Sequence, residues 1–156
     1  MKIRHAQEKD MEQINDLLCQ VLTIHYTGRP DLFKKDTKKY TDAELLELIC
    51  DDTRPIFVGV DEQEQVVGYA FCALQQHIDD NILTDIKTLY IDDLCVDSIK
   101  RGQHIGKKLY EYVLQYAKEQ GCYNVTLNVW ACNESARCFY EHCGLVPQKI
   151  GMEKIL

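Results

Sequence analysis

The sequence has no apolar stretch long enough to cross a membrane. Its longest apolar run, residues 69–74, is far shorter than the roughly 20 residues that a membrane-spanning helix needs. The first ten residues also lack the apolar core that defines a secretory signal peptide. We therefore expect a cytoplasmic protein with no membrane partner.

Paired cysteines are also missing, although cysteine itself is frequent. The chain has eight Cys but no CxxC pair, and several of them stand inside apolar runs. Without a secretory signal, these residues read as reduced thiols packed as small hydrophobic groups. A zinc site could be imagined from Cys132, Cys138, His142 and Cys143, but their spacing matches no common zinc framework. We therefore expect no disulfide and no bound metal.

An excess of positive charge is the third feature that the sequence lacks. The formal net charge is −7, which argues against a nucleic-acid partner, since such proteins need a basic face. The cations are nevertheless concentrated in one place, because Lys100, Arg101, Lys107 and Lys108 surround His104. Such a cluster in an acidic protein indicates either one polyanionic ligand or a solvated helix end.

The 156 residues fit a single domain, residues 1–156, with no repeat, linker or low-complexity segment. Helical and strand periodicities predict the order β-αα-β-β-β-α-β-α-β. The last of these strands is predicted near residues 148–155. The pattern indicates an α/β fold in which a mixed central sheet of about six to seven strands has helices on both faces.

Residues 94–109 combine a strand end, a glycine-containing turn and the start of a helix. The first turn of a helix leaves backbone N–H groups unsatisfied and carries the positive end of the helix dipole. Glycines let a ligand approach this backbone closely, and the neighbouring cations add charge, so the segment predicts an anion site. Neither GxxxxGK[ST] nor GxGxxG occurs, which excludes the two common nucleotide loops.

Within this segment, residues 101–106 resemble motif A of the GNAT superfamily of N-acetyltransferases, whose pattern is R/Q-x-x-G-x-G/A. One position differs, because His104 stands where the pattern has its first glycine. If that position needs a positive φ, histidine costs about 1 kcal/mol or obstructs the ligand. A helix-start conformation would tolerate it, and a protonated imidazole would favour phosphate.

Residues 133–145 resemble motif B of the same superfamily, N-x-x-A-x-x-F-Y-x-x-x-G-F. The matching residues are Asn133, Ala136, Phe139, Tyr140 and Gly144, while Leu145 replaces the usual aromatic residue. The two motifs stand in the family's order with a strand between them, and the resemblance covers essentially the whole chain. The chain therefore resembles a small, single-domain, bacterial-type GNAT protein with the acyl-CoA N-acyltransferase fold.

The resemblance implies direct transfer of an acetyl group from acetyl-CoA to a primary amine in a ternary complex. It implies that the turn at residues 101–107 holds the diphosphate of coenzyme A and that the backbone of residues 94–96 pairs with the pantetheine arm. The implied donor-binding residues are Leu94, Cys95, Val96, Arg101, Gly102, Gln103, His104, Ile105, Gly106, Lys107, Asn133 and Tyr140. Asn133 is either such a contact or a helix N-cap. Because the family usually transfers the acetyl group directly, a covalent acetyl-cysteine intermediate at Cys95 is not favoured.

The acceptor must lose a proton before it can attack, because a lysine-like amine has a pKa of about 10.4. Asp92 and Asp93 lie on the strand that leads into motif A, where the family often has an acidic base. Because adjacent strand residues face opposite sides, we expect at most one of them to face the cleft, with Asp93 slightly favoured. Tyr140 is expected to protonate the departing thiolate, and the alternative is a core role.

Acceptor contacts are expected in the helix-loop-helix near the N-terminus, whose connector at residues 25–33 is rich in polar and aromatic groups, and in the hairpin. The candidates are Tyr26, Arg29, Asp31 and Phe33, and the alternative is a proline-fixed turn whose aspartate caps a helix. The acidic surface favours a small cationic amine as acceptor. A protein amine as acceptor, a non-catalytic acyl-CoA sensor, and the choice between monomer and homodimer stay open.

Overall fold

The computed structural model describes residues 1–156 and builds them around one five-stranded sheet. Strands β1 to β5 comprise Lys2–His5, Ile56–Val60, Val66–Gln76, Lys87–Val96 and Asn124–Leu127. Helices α1 to α4 comprise Met11–Gly28, Asp42–Ile49, Ile105–Glu119 and Glu134–His142, and single 3-10 turns cover Glu8–Asp10 and Ser98–Lys100. The predicted element order is therefore confirmed as far as α4. None of the helices combines the length and apolar character that crossing a membrane requires.

The prediction of six to seven strands is wrong, because the strand expected at 148–155 does not form. The tail pairs with no strand, and its apolar side chains Val146, Ile150, Met152 and Ile155 are exposed. A side-chain contact holds the tail instead: the Arg29 guanidinium donates to both carboxylate oxygens of Glu153 at 2.8 and 2.9 Å. The tail is thus fixed to the end of α1 and not to the sheet.

Strands β1 to β4 are antiparallel neighbours, and β5 runs parallel to β4 in the order β1-β2-β3-β4-β5. The parallel pairing of β4 with β5 ends where Ile91 meets Leu127. Beyond that point, residues 92–96 of β4 have no strand on this side. The sheet is therefore open along the C-terminal half of β4.

Helices cover both faces of the sheet, as predicted. Because side chains alternate along β2, Ile56 and Val58 lie on the side covered by α1 and α2, and Phe57 lies on the side covered by α3. Helical spacing supplies the other half of each core: Ile14, Leu17 and Leu18 from α1, and Tyr110, Val113 and Ala117 from α3. Each fully buried aliphatic side chain contributes about 1.5–3 kcal/mol relative to exposure.

A β-bulge at Asp92 reverses the faces that β4 presents. Phe71 of β3 pairs with Asp93, and the next residue of β3 pairs with Ile91, so Asp92 is an extra residue without a partner. Before the bulge, Ile91 packs on the α3 side; after it, Cys95 packs on the α1 side. The bulge therefore turns Asp93 towards α1 and the connector that follows α1.

Gly68 lets β3 and β4 pack closely under α3. An added Cβ would lie 2.7 Å from the Cys95 carbonyl oxygen and 3.0 Å from Leu109 Cδ1. Because backbone must then shift, we expect Gly68→Ala to lower the free energy of unfolding by about 1–3 kcal/mol in urea denaturation. In the control Gly151→Ala the new Cβ meets nothing within 4 Å, so a change below about 0.5 kcal/mol is expected. Equal effects of both variants would contradict this explanation.

Candidate active site

The turn before α3 presents a row of backbone N–H groups without acceptors inside the chain. The first helical hydrogen bond runs from the Lys108 N–H to the His104 carbonyl at 3.1 Å, and the N–H groups of residues 103–107 donate to no atom of the chain. They lie at the positive end of the α3 dipole. Arg101 and Lys107 are exposed beside them. Free amides, a helix N-terminus and cations are the groups from which anion sites are built.

His104 adopts a left-handed conformation with φ 59° and ψ 16° at the N-cap of α3. The sequence left a helix-start conformation open for this position, and the structure selects the glycine-like one. A non-glycine residue in this region costs on the order of 1 kcal/mol. Gly102, two residues earlier, also has a positive φ of 79°. The turn before α3 therefore contains two left-handed residues.

We expect His104→Gly to bind acetyl-CoA as tightly as the wild type or more tightly. Glycine removes the strain and the imidazole but leaves every backbone N–H in place, and greater freedom of the unfolded chain offsets part of the stability gain of about 1 kcal/mol. Calorimetric titration with acetyl-CoA measures the affinity. A large loss of affinity would instead show that the imidazole itself contacts the donor.

Gly106 marks the place where β4, α3 and α4 meet. An added Cβ would lie 3.4 Å from both Val96 Cγ2 and Phe139 Cζ, so these two side chains pack against α3 at Gly106. Arg101 also reaches this edge, because its Nε donates to the Val96 carbonyl oxygen at 3.3 Å. Leu94 and Val96 are half-buried along the edge. The predicted donor-binding residues of β4 and of the turn are thus brought together.

The Cys95 side chain does not face this edge, so its thiol is not placed to act as a nucleophile. Its side chain is buried among core residues on the α1 side, with the thiol 3.8 Å from the Leu17 carbonyl oxygen. Burial, together with the nearby Asp93 carboxylate, raises the pKa of the Cys95 thiol to about 12. A thiol that stays protonated is a poor nucleophile.

Helix α4 supplies the motif B residues. The Asn133 side-chain oxygen accepts from the Ala136 N–H at 3.2 Å, so Asn133 is the N-cap of α4. Tyr140 lies two turns further along, with its ring 5.1 Å from that of Phe139. Burial raises the pKa of Tyr140 well above its ordinary value, and the Asp93 carboxylate adds to the shift. The hydroxyl is therefore protonated at neutral pH and able to donate.

Asp92 and Asp93 share one ammonium group. Lys39 Nζ lies 2.9 Å from Asp92 Oδ2 and 3.7 Å from Asp93 Oδ2. The expectation that these neighbouring carboxylates face opposite sides is wrong, because the bulge at Asp92 breaks the alternation. The Tyr69 hydroxyl donates to Asp93 Oδ2 at 3.0 Å. Two carboxylates, one ammonium and one phenol therefore form a single cluster.

The two carboxylates differ in their surroundings. The Asp93 side chain is 13% exposed and that of Asp92 is 35% exposed. Burial raises the pKa of Asp93, and the opposing attraction of Lys39 only partly offsets that rise. A buried carboxylate with a raised pKa takes up a proton more readily than an ordinary surface aspartate. Asp93 is therefore the better candidate base.

The charged residues of the predicted acceptor site are paired with each other and with the tail. The Arg29 Nε donates to Asp31 Oδ1 at 2.9 Å, and the same guanidinium binds Glu153. Hydrogen bonding by Arg29 lowers the pKa of Asp31, which stays ionised. This network fixes the chain where α1 ends. A direct role of Arg29 and Asp31 in acceptor binding stays a prediction.

The aromatic candidate Phe33 belongs to a cluster near the end of α1. Its ring lies 5.0 Å from that of His25 and 5.2 Å from that of Trp130. Burial lowers the pKa of His25, although the Asp93 carboxylate opposes this shift. The cluster therefore lies near the acidic pair. Tyr26 is half-buried on α1, next to His25.

Sequence reasoning missed Lys39, Tyr69 and Trp130. Tyr69 could have been found from the hairpin, because strand pairing places β3 residues beside β4 residues of the same face. No signal identifies Lys39. It lies in a connector without regular secondary structure and meets the sheet only through the tertiary fold.

Residues 19–145 match the model of the Acetyltransferase (GNAT) family. The chain is 40% identical over 68 residues to glucosamine 6-phosphate N-acetyltransferase of Arabidopsis thaliana, a match that covers 44% of each protein. The chain thus spans less than half the length of the first curated relatives it matches.

Solved structures also resemble the whole chain. A tetramutant of the BH1408 protein from Bacillus halodurans superimposes with a TM-score of 0.96 and 31% identity, covering 100% of both chains. The structure of glucosamine-6-phosphate N-acetyltransferase from Arabidopsis thaliana gives a TM-score of 0.68 and 26% identity over 99% of this chain and 97% of that one. Because the family match spans most of the sequence and the fold agrees over its full length, the chain belongs to the GNAT acetyltransferase family.

Proposed function

We propose that this protein is an N-acetyltransferase that moves an acetyl group from acetyl-CoA to a primary amine. One observation carries the proposal. The open edge of β4 has the free amides of residues 103–107 at one end and the largely buried Asp93 carboxylate at the other. A donor lying along this edge would have its diphosphate at the first end and its thioester at the second.

In this proposal the acyl donor binds through backbone groups. The N–H groups of residues 103–107 hold the diphosphate, with Arg101 and Lys107 adding positive charge and Gly102 shaping the turn. The backbone of residues 94–96 pairs with the pantetheine amides, and these residues span about 10 Å of extended chain. Because Arg101 occupies the Val96 carbonyl, we expect donor binding to displace that contact.

The proposed chemistry is direct transfer. Asp93 takes a proton from the acceptor ammonium, and the resulting neutral amine attacks the thioester carbonyl carbon. As the carbon–sulfur bond breaks, Tyr140 donates its proton to the departing thiolate of coenzyme A, and the second proton that the nitrogen loses returns to the Tyr140 oxygen. Asp93 passes the first proton to solvent. The buried Cys95 thiol takes no part, since its raised pKa keeps it protonated. Asp92 helps to attract the acceptor ammonium.

We further propose that the acceptor is a small amine. Asp92 and Asp93 already hold one ammonium, that of Lys39, and an acceptor ammonium would replace it there. His25, Phe33 and Trp130 would give the acceptor an apolar wall. Relatives named for glucosamine 6-phosphate make this amino sugar one of the first acceptors to test.

The test is thiol release from acetyl-CoA with a panel of amines: glucosamine 6-phosphate, a polyamine, an aminoglycoside, free amino acids and a lysine peptide. We expect turnover with at least one small amine, well above acetyl-CoA hydrolysis alone. Turnover of the peptide alone would favour a protein acetyltransferase. Tight binding of acetyl-CoA with no turnover of any amine would instead favour a non-catalytic acyl-CoA sensor, the alternative that the replacement of a motif glycine by His104 left open.

A further inference from the structure

Lys39 is held at the acidic pair by the residues that follow it in the chain. Tyr40 stacks on Phe71, with ring centroids 5.9 Å apart, and Phe71 is the strand partner of Asp93. Thr41 begins α2 with a reciprocal cap, in which its hydroxyl accepts from the Glu44 N–H at 3.2 Å. The residues that follow Lys39 are thus anchored to the sheet and to a helix.

The Lys39 amine therefore stands beside the proposed catalytic base. Its Nζ lies 3.7 Å from Asp93 Oδ2, within reach of a proton transfer after a small adjustment. Asp93 directly precedes residues 94–96, along which the pantetheine arm is proposed to lie, so the thioester would end close to this amine. The connector that carries Lys39 has no helix or strand between Arg29 and Tyr40 and can adjust its path.

We propose that Lys39 is a site of self-acetylation: the protein transfers an acetyl group from bound acetyl-CoA to its own Lys39 Nζ. This proposal rests on the acetyltransferase function proposed above. Lys39 would be an internal acceptor, and its ammonium would occupy the place of an external one.

The proposed step uses the same groups as the transfer to an external amine. The Lys39 ammonium gives one proton to Asp93, which passes it to solvent. The neutral nitrogen then forms a bond to the acetyl carbonyl carbon while the carbon–sulfur bond breaks. The second proton that nitrogen loses ends on the coenzyme A sulfur through the Tyr140 hydroxyl. The product is a neutral amide, and the ion pairs with Asp92 and Asp93 are lost.

The experiment is a time course of the intact protein with acetyl-CoA, followed by digestion and mass spectrometry of each lysine. Lys38 is the internal control: it is adjacent, 63% exposed and paired only with Asp42, so uncatalysed acetylation reaches it more easily. We expect Lys39 to be acetylated at least about tenfold faster than Lys38, because the amine is already placed beside its base. The rate per molecule should not depend on protein concentration.

Substitutions distinguish enzyme-catalysed acetylation of Lys39 from its uncatalysed reaction with acetyl-CoA. Lys39→Arg keeps the positive charge but should show no acetylation at position 39, while Lys38→Arg should leave the Lys39 rate unchanged. Asp93→Asn should slow acetylation of Lys39 and leave that of Lys38 as it is. The same preparations are assayed with an external amine as acceptor.

Two results would overturn the proposal. The first is acetylation of Lys39 no faster than that of Lys38 in a preparation that acetylates an external amine, which would leave the proposed function intact. The second is a rate per molecule that rises with protein concentration, which would show transfer between copies. A preparation that modifies neither Lys39 nor any external amine would overturn the proposed function as well.

Discussion

Asp93→Asn is expected to lower kcat for amine acetylation by about 10²–10⁴-fold, the range that a positioned general base contributes. The asparagine side-chain oxygen can still accept from the Tyr69 hydroxyl, so the local structure should persist, but a neutral amide takes up no proton. Steady-state kinetics with saturating acetyl-CoA measures kcat. Affinity for acetyl-CoA, measured by calorimetry, should stay within about twofold, since the side chain lies beyond the proposed diphosphate and pantetheine contacts.

Asp92→Asn is the matched control. Its carboxylate is adjacent in sequence and bound to the same ammonium, but it is more exposed and receives no hydrogen bond from Tyr69. We expect less than about a tenfold loss of kcat, because only attraction of the acceptor is weakened. Equal losses of kcat in both variants would show that Asp92 and Asp93 contribute alike. An unchanged kcat in Asp93→Asn would exclude Asp93 as the base.

The pH dependence follows from the same carboxylate. Burial raises the pKa of Asp93, with Lys39 and Tyr69 opposing the shift and Asp92 adding to it. The group works only when ionised, so kcat/KM should fall as the pH falls through that raised value. The acid limb should therefore lie at higher pH than for an ordinary aspartate, and it should disappear in Asp93→Asn. An acid limb that survives in this variant would belong to another group.

Tyr140→Phe is expected to lower kcat by about 10²-fold, the lower end of general acid catalysis, without changing acetyl-CoA affinity. The ring contact with Phe139 needs no hydroxyl, so only the proton donor is lost. Because burial keeps the Tyr140 pKa well above neutral, the wild-type hydroxyl carries its proton throughout the working pH range.

Tyr112→Phe provides the control for this substitution. Tyr112 packs on Phe57 in the α3 core, with ring centroids 5.1 Å apart, away from the open strand edge. Its kcat should equal that of the wild type. If Tyr140→Phe also keeps the wild-type kcat, Tyr140 has no part in the chemistry and fills space in the core.

The parts of the site that sequence predicted are those encoded by consecutive residues. The glycine turn and α3 follow from local helix signals, and the structure places the free amides where those signals indicated. Asn133 and α4 follow in the same way, because a cap and its helix depend on a few neighbouring residues. Local spacing is enough to predict the turn, the start of α3 and the free amides between them; the anion that they bind stays a prediction.

The acidic pair could not be predicted from alternation. On a regular strand, Ile91, Asp93 and Cys95 would all share a face. The bulge at Asp92 separates Ile91 from the other two, and bulges depend on how two strands pair, not on one strand's sequence. The contact of Lys39 with the acidic pair depends on which side of β4 Asp93 faces and on the path of the connector. This contact is therefore visible only in the folded structure.

The prediction of a strand in the C-terminal tail was wrong for a related reason. Its apolar residues Ile150 and Met152 alternate with polar ones, which favours a strand, yet a strand forms only by pairing with a neighbouring strand, and this pairing is not encoded in the tail alone. The contact of Glu153 with Arg29 takes the tail to α1 instead. Sequence gave no sign of this contact, because the two residues lie far apart in the chain.

The central claim is that the free amides of residues 103–107 hold the diphosphate of the acyl donor. The most direct test follows the ¹H–¹⁵N amide signals of the protein during titration with coenzyme A and, separately, with pantetheine, which has no diphosphate. We predict that coenzyme A moves the signals of residues 103–107 most and that pantetheine leaves them in place. Binding of coenzyme A with its largest shifts elsewhere, or no binding at all, would contradict the account.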